Sequence, residues 1–215
     1  MVAVSLKKKL TRGDRLAQLR LAQGKPALDA VELRAHHSRT PVVFAEGRAL
    51  KQEELVLDED GCLLLRVGLA NREPAGWRAA RDTDVLEFSK EGAHARSDFW
   101  EPVHAPNGRC ILGPGSFYIF ASQERLRVPP KFAAEMLPVD TGIGELRNNY
   151  AGFFDNGFGW KSSEKAPGGV VNDGTPAVLE VRAHDVPFLV EDGQLFCRLR
   201  FFRTSGRPEK IYGEG

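Results

Sequence analysis

The punctuation of this chain constrains its fold more than any single motif. "CLLLRVGL" (62–69) follows the turn signal "DEDG", and "SFYIFASQERLRVP" (116–129) follows "LGPG" and alternates apolar with polar residues in its second half. "AVLEVRAH" (177–184) and "QLFCRLRFF" (194–202) flank the turn "VEDG". Short β-prone runs bounded by Gly, Pro and Asp predict a mainly β protein, a sandwich or barrel. The best helix candidate is "PALDAVELRAHH" (26–37). There Pro26 suits a first turn, and Leu28, Val31 and Ala35 share a face. His36 and His37 fall at the C-terminal end, where positive charge is favoured. "KSSEKAPGGVVNDGTP" (161–176) reads as an exposed, mobile loop.

The chain has 215 residues, enough for one large domain or for one domain plus a piece of another. Its net charge of +1 advertises neither nucleic acid nor a membrane surface. Lys7, Lys8 and Lys9 form the one short basic run, expected to be a solvated strand edge. The three cysteines, Cys62, Cys110 and Cys197, are widely spaced and make no CxxC pair, which favours a reducing compartment. The start "MVAVSLKKKL" lacks the form of a signal peptide, and Gly and Pro break every long uncharged stretch. A cytoplasmic location is the expectation.

One internal similarity bears on domain organisation. "RGDRLAQLRL" (12–21) overlays "DGQLFCRLRF" (192–201), with Gly13 on Gly193 and Leu19-Arg20-Leu21 on Leu199-Arg200-Phe201. Both read as a tight turn feeding a strand, as two copies of one domain would give. The opening strand then lacks a sheet of its own, and the chain is expected to be part of something longer.

Among chemical patterns, none of the five histidines forms HxH or HExxH, and none stands near a cysteine pair. The H-x-E and P-C-x-x-C of zinc nucleobase deaminases are absent, as are GxSxG and Walker A patterns. A lone His184 at a strand end reads as structural. Trp77 and "DFWEPV" (98–103) read as packing, since no basic residues interleave with them.

Two acids remain. Asp155 lies in "AGFFDNGFGW" (151–160), where four rings sit among three glycines. "DNG" is a turn signal, so Asp155 is either a turn former or an acid that accepts a hydrogen bond from a ligand hydroxyl while the glycines let backbone approach. Glu180 shares a strand face with Val178 and Arg182, opposite Leu179, Val181 and Ala183. The commoner arrangement is an outward acid paired with Arg182 or with a cation on a neighbouring strand. The functional alternative is a carboxylate at a cleft wall that takes a proton from water.

"NNYAGFFDNGFG", then "AVLEVRAH", then "VPFLVEDGQLFCRLRF" resembles the dUTPase-like fold, a distorted β-barrel of the β-clip type with few short helices. Within it the chain is similar to the dCTP deaminases. "SDFWEPV", "FYIFASQERLRVPPKFAAEMLPVD" and "YAGFFDNGFG" look like the second half of the longer bacterial type, which carries two such domains in tandem. The resemblance runs from about Pro41 onward. It implies terminal strands of a preceding domain in residues 1–24, a linker helix in 25–40 and a second dUTPase-like domain in 41–215.

The resemblance also implies a chemistry: dCTP plus water giving dUTP plus ammonia, with no metal attacking the base. Asp155 would accept the deoxyribose 3′-hydroxyl, beside Phe154, and Ala151 and its neighbours would offer backbone groups to the pyrimidine edge. Glu180 would activate the water. Tyr212 would begin a C-terminal segment that closes over the triphosphate, and Mg2+ would ride on that triphosphate. A homo-oligomer, or a pseudo-trimer with a missing first domain, is implied as well.

Three departures limit this. The family's serine and arginine upstream of the turn fall at Pro138 and Gly142, which have no side-chain donor. Asn156 stands where the deaminases have proline, and Gly215 follows soon after Tyr212. The second domain alone is therefore expected to be catalytically degenerate and to lack most of its tail. Two rivals stay open: a dUTP pyrophosphatase on the same fold, and a non-catalytic domain that forms oligomers.

Overall fold

Alternation along the strands decides which side chains line the interior. The computed structural model describes residues 8–9, 19, 21–83, 85–87, 92–139, 146–148, 152–160, 173–183 and 185–213. In chain order the strands are β1 (Lys8–Lys9), β2 (Val43–Ala45), β3 (Arg48–Ala49), β4 (Leu63–Gly68), β5 (Gly76–Ala79), β6 (Leu86–Glu87), β7 (Trp100–Val103) and β8 (Arg109–Leu112). They continue as β9 (Phe117–Leu126), β10 (Phe132–Pro138), β11 (Leu146–Asn148), β12 (Phe153–Phe154), β13 (Thr175–Ala183), β14 (Phe188–Glu191) and β15 (Leu195–Arg203). The four runs expected as strands are β4, β9, β13 and β15. One α-helix, α1 (Ala30–Arg39), is found among the described residues.

The main sheet has the order β11-β13-β9-β4-β15-β10-β12, with β2, β3, β5 and β7 branching from it. Its pairings are antiparallel. It curls until the segment after β12 returns to the end of β9. There the Gly157 N–H donates to the Val128 carbonyl at 3.0 Å and the Val128 N–H donates to the Phe158 carbonyl at 2.8 Å. That pair of bonds closes the barrel. β8 and β14 form a separate two-stranded antiparallel ladder, and Lys8–Lys9 pairs in parallel with Leu86–Glu87.

Leu63, Leu65, Phe120, Leu126, Leu179, Phe196, Leu199 and Phe201 fill the interior. β9 also sends Ser122 and Glu124 inward. The Glu124 carboxylate accepts from the Arg66 N–H at 2.8 Å and Nε at 2.7 Å. Ser122 Oγ accepts from the Ala177 N–H at 2.8 Å and donates to the Glu124 carbonyl. These inward polar groups are satisfied, as burial requires. The three cysteines are free and buried.

The helix departs from the sequence expectation. It begins at Ala30 because Asp29 and Glu32 form a reciprocal capping box, Asp29 Oδ1 accepting from the Glu32 N–H at 2.8 Å. Pro26 and Leu28 instead join β15: the Arg203 N–H donates to the Pro26 carbonyl and the Leu28 N–H to that of Phe201. Val31, expected to share a face with Leu28 and Ala35, is 76% exposed while Leu28 is buried, and the helix buries Leu33 and His37. His37 is no helix-end cation. Its Nδ1 accepts from the Val42 N–H at 3.1 Å and its Nε2 faces the Leu50 carbonyl at 2.7 Å. That geometry fixes the neutral Nε2–H tautomer, and burial, with help from nearby Arg127, pushes its pKa down.

Candidate functional site

The stretch with four rings and three glycines folds as a turn on the rim of the barrel. Phe153 and Phe154 pair with Glu135 and Ala134, and Phe154 is buried. At Asp155 the chain reverses twice: the Phe158 N–H donates to the Asp155 carbonyl at 3.0 Å and the Trp160 N–H to that of Gly157 at 2.8 Å. Gly157 and Gly159 hold φ of 86° and 65°, in the left-handed region. Space demands glycine as well as conformation. A Cβ on Gly159 would lie 2.2 Å from the Leu126 carbonyl oxygen.

Rings back the turn. Phe154 meets Phe158 edge-on at 4.9 Å between centroids, and Phe158 meets Tyr212 at 5.3 Å. The Tyr212 N–H donates to the Asn156 carbonyl at 2.9 Å, while the Tyr212 side chain is 57% exposed. Asn156 has taken on a task that proline could not perform. Its Nδ2 donates to the Pro130 carbonyl at 2.9 Å and to Thr204 Oγ1 at 3.0 Å. Arg127, which sequence reasoning passed over, lies over the Trp160 ring at 4.6 Å and over Phe44 at 5.0 Å.

Phe154, Asp155 and Tyr212 are thus gathered at one rim. Glu180 stands elsewhere on the same wall. It is half-buried, on the opposite face of β13 from buried Leu179 and Val181, in register with Ile119. A Cβ on Gly159 of the turn would lie 3.0 Å from the Thr175 N at the start of β13. Five residues of strand separate Thr175 from Glu180, or roughly 16 Å. Glu180 thus lies farther along β13 than the point where the turn approaches that strand.

Pro138 ends β10 opposite Cys197, and its carbonyl accepts from Arg198 Nε at 2.9 Å. Arg198 also pairs with Asp58 at 2.9 Å. Ala151, Gly142, His184, the first copy of the repeat apart from Leu19 and Leu21, and residues 161–172 of the expected loop lie outside the described residues. Among the described residues, no three His, Cys, Asp or Glu side chains gather where they could hold a metal ion. No helix among them is long and apolar enough to cross a membrane.

The curled antiparallel sheet with one described α-helix is a dUTPase-like distorted barrel. The sequence model of the family described as 2′-deoxycytidine 5′-triphosphate deaminase (DCD), C-terminal domain, matches residues 29–215, and the chain belongs to that family. Among solved structures it is similar to 2′-deoxycytidine 5′-triphosphate deaminase from Agrobacterium tumefaciens. The two share 35% identity with a TM-score of 0.68, over 86% of this chain and 50% of the other. The chain thus matches half the length of that protein. No curated protein matches it.

Proposed function

We propose that this chain is part of a dCTP deaminase that hydrolyses dCTP to dUTP and ammonia, supplying dUTP for pyrimidine deoxynucleotide synthesis. The observation that carries the reading is the rim turn, where left-handed Gly157 and Gly159 shape the backbone beside Asp155, in a chain of this family. The glycines let backbone approach a ligand, and the Asp155 carboxylate can accept from a sugar hydroxyl. The family membership supplies the nucleotide.

In this reading Asp155 accepts the 3′-hydroxyl of the deoxyribose, and the Gly-rich backbone around it, including Ala151, meets the pyrimidine edge. Phe154 packs behind the turn, and Tyr212 begins the segment that covers the phosphates. Glu180 takes a proton from water as the oxygen bonds to cytosine C4. It then returns that proton to the amino group, which leaves as ammonia when the C4–N bond breaks. The turn offers a single carboxylate, which suits an Mg2+ ion carried by phosphate oxygens and water. The assembly is a homo-oligomer or a pseudo-trimer with a first domain, and the location is cytoplasmic.

A specific observation favours a second reading, an oligomer-forming domain without catalysis. Pro138, where the family places a serine, ends a strand, and its carbonyl is already engaged by Arg198. Ammonia release from dCTP, measured on this chain and on a version extended by a first domain, tests the two. Release from either supports the deaminase. Release from neither, together with stable oligomers that bind no nucleotide, establishes the assembly domain. Pyrophosphate from dUTP would point instead to the pyrophosphatase.

A further inference from the structure

We infer that Arg127 is a positioning residue for the nucleotide site, holding the far end of the Asp155 turn through Trp160. The inference rests on the proposed reading of that turn. Arg127 follows β9 directly, and its Nε and Nη2 both donate to the Pro41 carbonyl, at 3.1 and 2.9 Å. That fork fixes the plane of the guanidinium. The plane then meets Phe44 and Trp160, at 5.0 and 4.6 Å from the ring centroids. A planar, always-charged group can fork and stack at once, whereas an ammonium can do neither in this way.

The consequence passes straight to the turn. Trp160 donates its N–H to the Gly157 carbonyl, so the place of its backbone sets the second reversal. The next residue after Arg127 is Val128, which makes both closing backbone bonds to Gly157 and Phe158. Arg127 and Val128 therefore grip the same turn by side chain and by backbone. At the other end Asn156 is tied to Pro130 and Thr204. Asp155 immediately precedes this tethered segment, and any loosening at Trp160 shifts the turn that presents it. No other described cation lies over the Trp160 ring within the cation–π contacts present.

The test uses the whole chain with Arg127→Lys, Trp160→Phe, Trp160→Ala and the double variant Arg127→Lys/Trp160→Ala. Amide exchange at Gly157, Phe158 and Trp160 is read without nucleotide, and affinity for dCTP and for dUTP is read by calorimetry with Mg2+ present. Arg127→Lys is expected to speed exchange in the turn and weaken nucleotide binding, each about tenfold, while exchange in β4 and β15 stays as in wild type. Trp160→Phe keeps a ring under the guanidinium and stays near wild type. The double variant should show less than the summed effects of Arg127→Lys and Trp160→Ala, because the two changes share the Trp160 contact. Unchanged turn exchange and unchanged affinity in Arg127→Lys overturn the inference, as does loss of protection throughout the barrel. A wild-type chain that binds neither nucleotide, in which Arg127→Lys still loosens only the turn, sinks the proposed function and leaves the hold of Arg127 on the turn standing.

Discussion

Gly157 and Ile211 interlock. A Cβ on Gly157 would fall 2.5 Å from the Cβ of Ile211, and Ile211 is 7% exposed. The C-terminal segment is thereby seated on the rim turn, with Tyr212 bonded to Asn156 beside it. Replacing Gly157 by Ala should unseat it. The left-handed backbone costs about 1–2 kcal/mol for a residue with a Cβ, and the collision with Ile211 adds to that. Urea unfolding should show the loss, and limited proteolysis should cut near Tyr212 faster than in wild type.

Glu180→Gln tests the proposed chemistry with little change of shape. The amide cannot take a proton from water, so ammonia release from dCTP should fall at least about a hundredfold. Nucleotide affinity and melting temperature should hardly change. A variant that deaminates as fast as wild type removes Glu180 from the mechanism.

His37 makes stability depend on pH. Its folded pKa lies below the ordinary 6.5, mainly through burial. The unfolded chain therefore binds more protons below that value, and stability drops as pH falls through it. His36 is shifted the same way, again mainly by burial. Urea unfolding at pH 7.5 and at pH 5.5 should show lower stability at the acid end. His37→Gln should be less stable at pH 7.5 and should show a shallower slope. An unchanged slope would remove His37 as a source.

Glu124 is nearly enclosed, its side chain 4% exposed, whereas its partner Arg66 is 47% exposed. Glu124→Ala leaves the Arg66 backbone N–H without its acceptor but lets the guanidinium turn to water. The cost should therefore be about 1–3 kcal/mol, the range for an orphaned buried donor, rather than the larger cost of a stranded buried charge. Denaturant unfolding with Glu124→Ala and Arg66→Ala, singly and together, separates the two contributions.

The thiols should be silent. Burial pushes Cys110 up to about 11 and Cys197 up to about 12, and it raises Cys62 despite Arg200 beside its sulfur. A thiolate-dependent reagent at pH 8 should modify none of the three in the folded protein and all of them after unfolding. Rapid labelling of any one in native buffer would contradict its placement.

The parts of this architecture that obey a period of two were legible in the sequence. β13 buries every other residue as its alternation predicts, and β9 does so too, although its inward Ser122 and Glu124 break the apolar pattern. The turn was legible because Asn and Gly advertise a reversal, and the glycines do adopt left-handed backbone. The helix start was misplaced although its signal was present: Asp29 and Glu32 stand three apart, and Pro26 drew attention away from them. The burial of His37 was beyond reach, because its partners are backbone groups of Val42 and Leu50, which no side-chain pattern announces. Arg127 was missed for a related reason. Its polar position on an alternating strand looks solvated until Phe44 and Trp160 arrive from two distant segments.

The closing bonds at Val128 tie the fold to the turn. The backbone that presents Asp155 is also the backbone that joins the β12 edge to the end of β9, so folding depends on it as the proposed site does. A change that broke these bonds would therefore open the barrel as well as move the turn that carries Asp155.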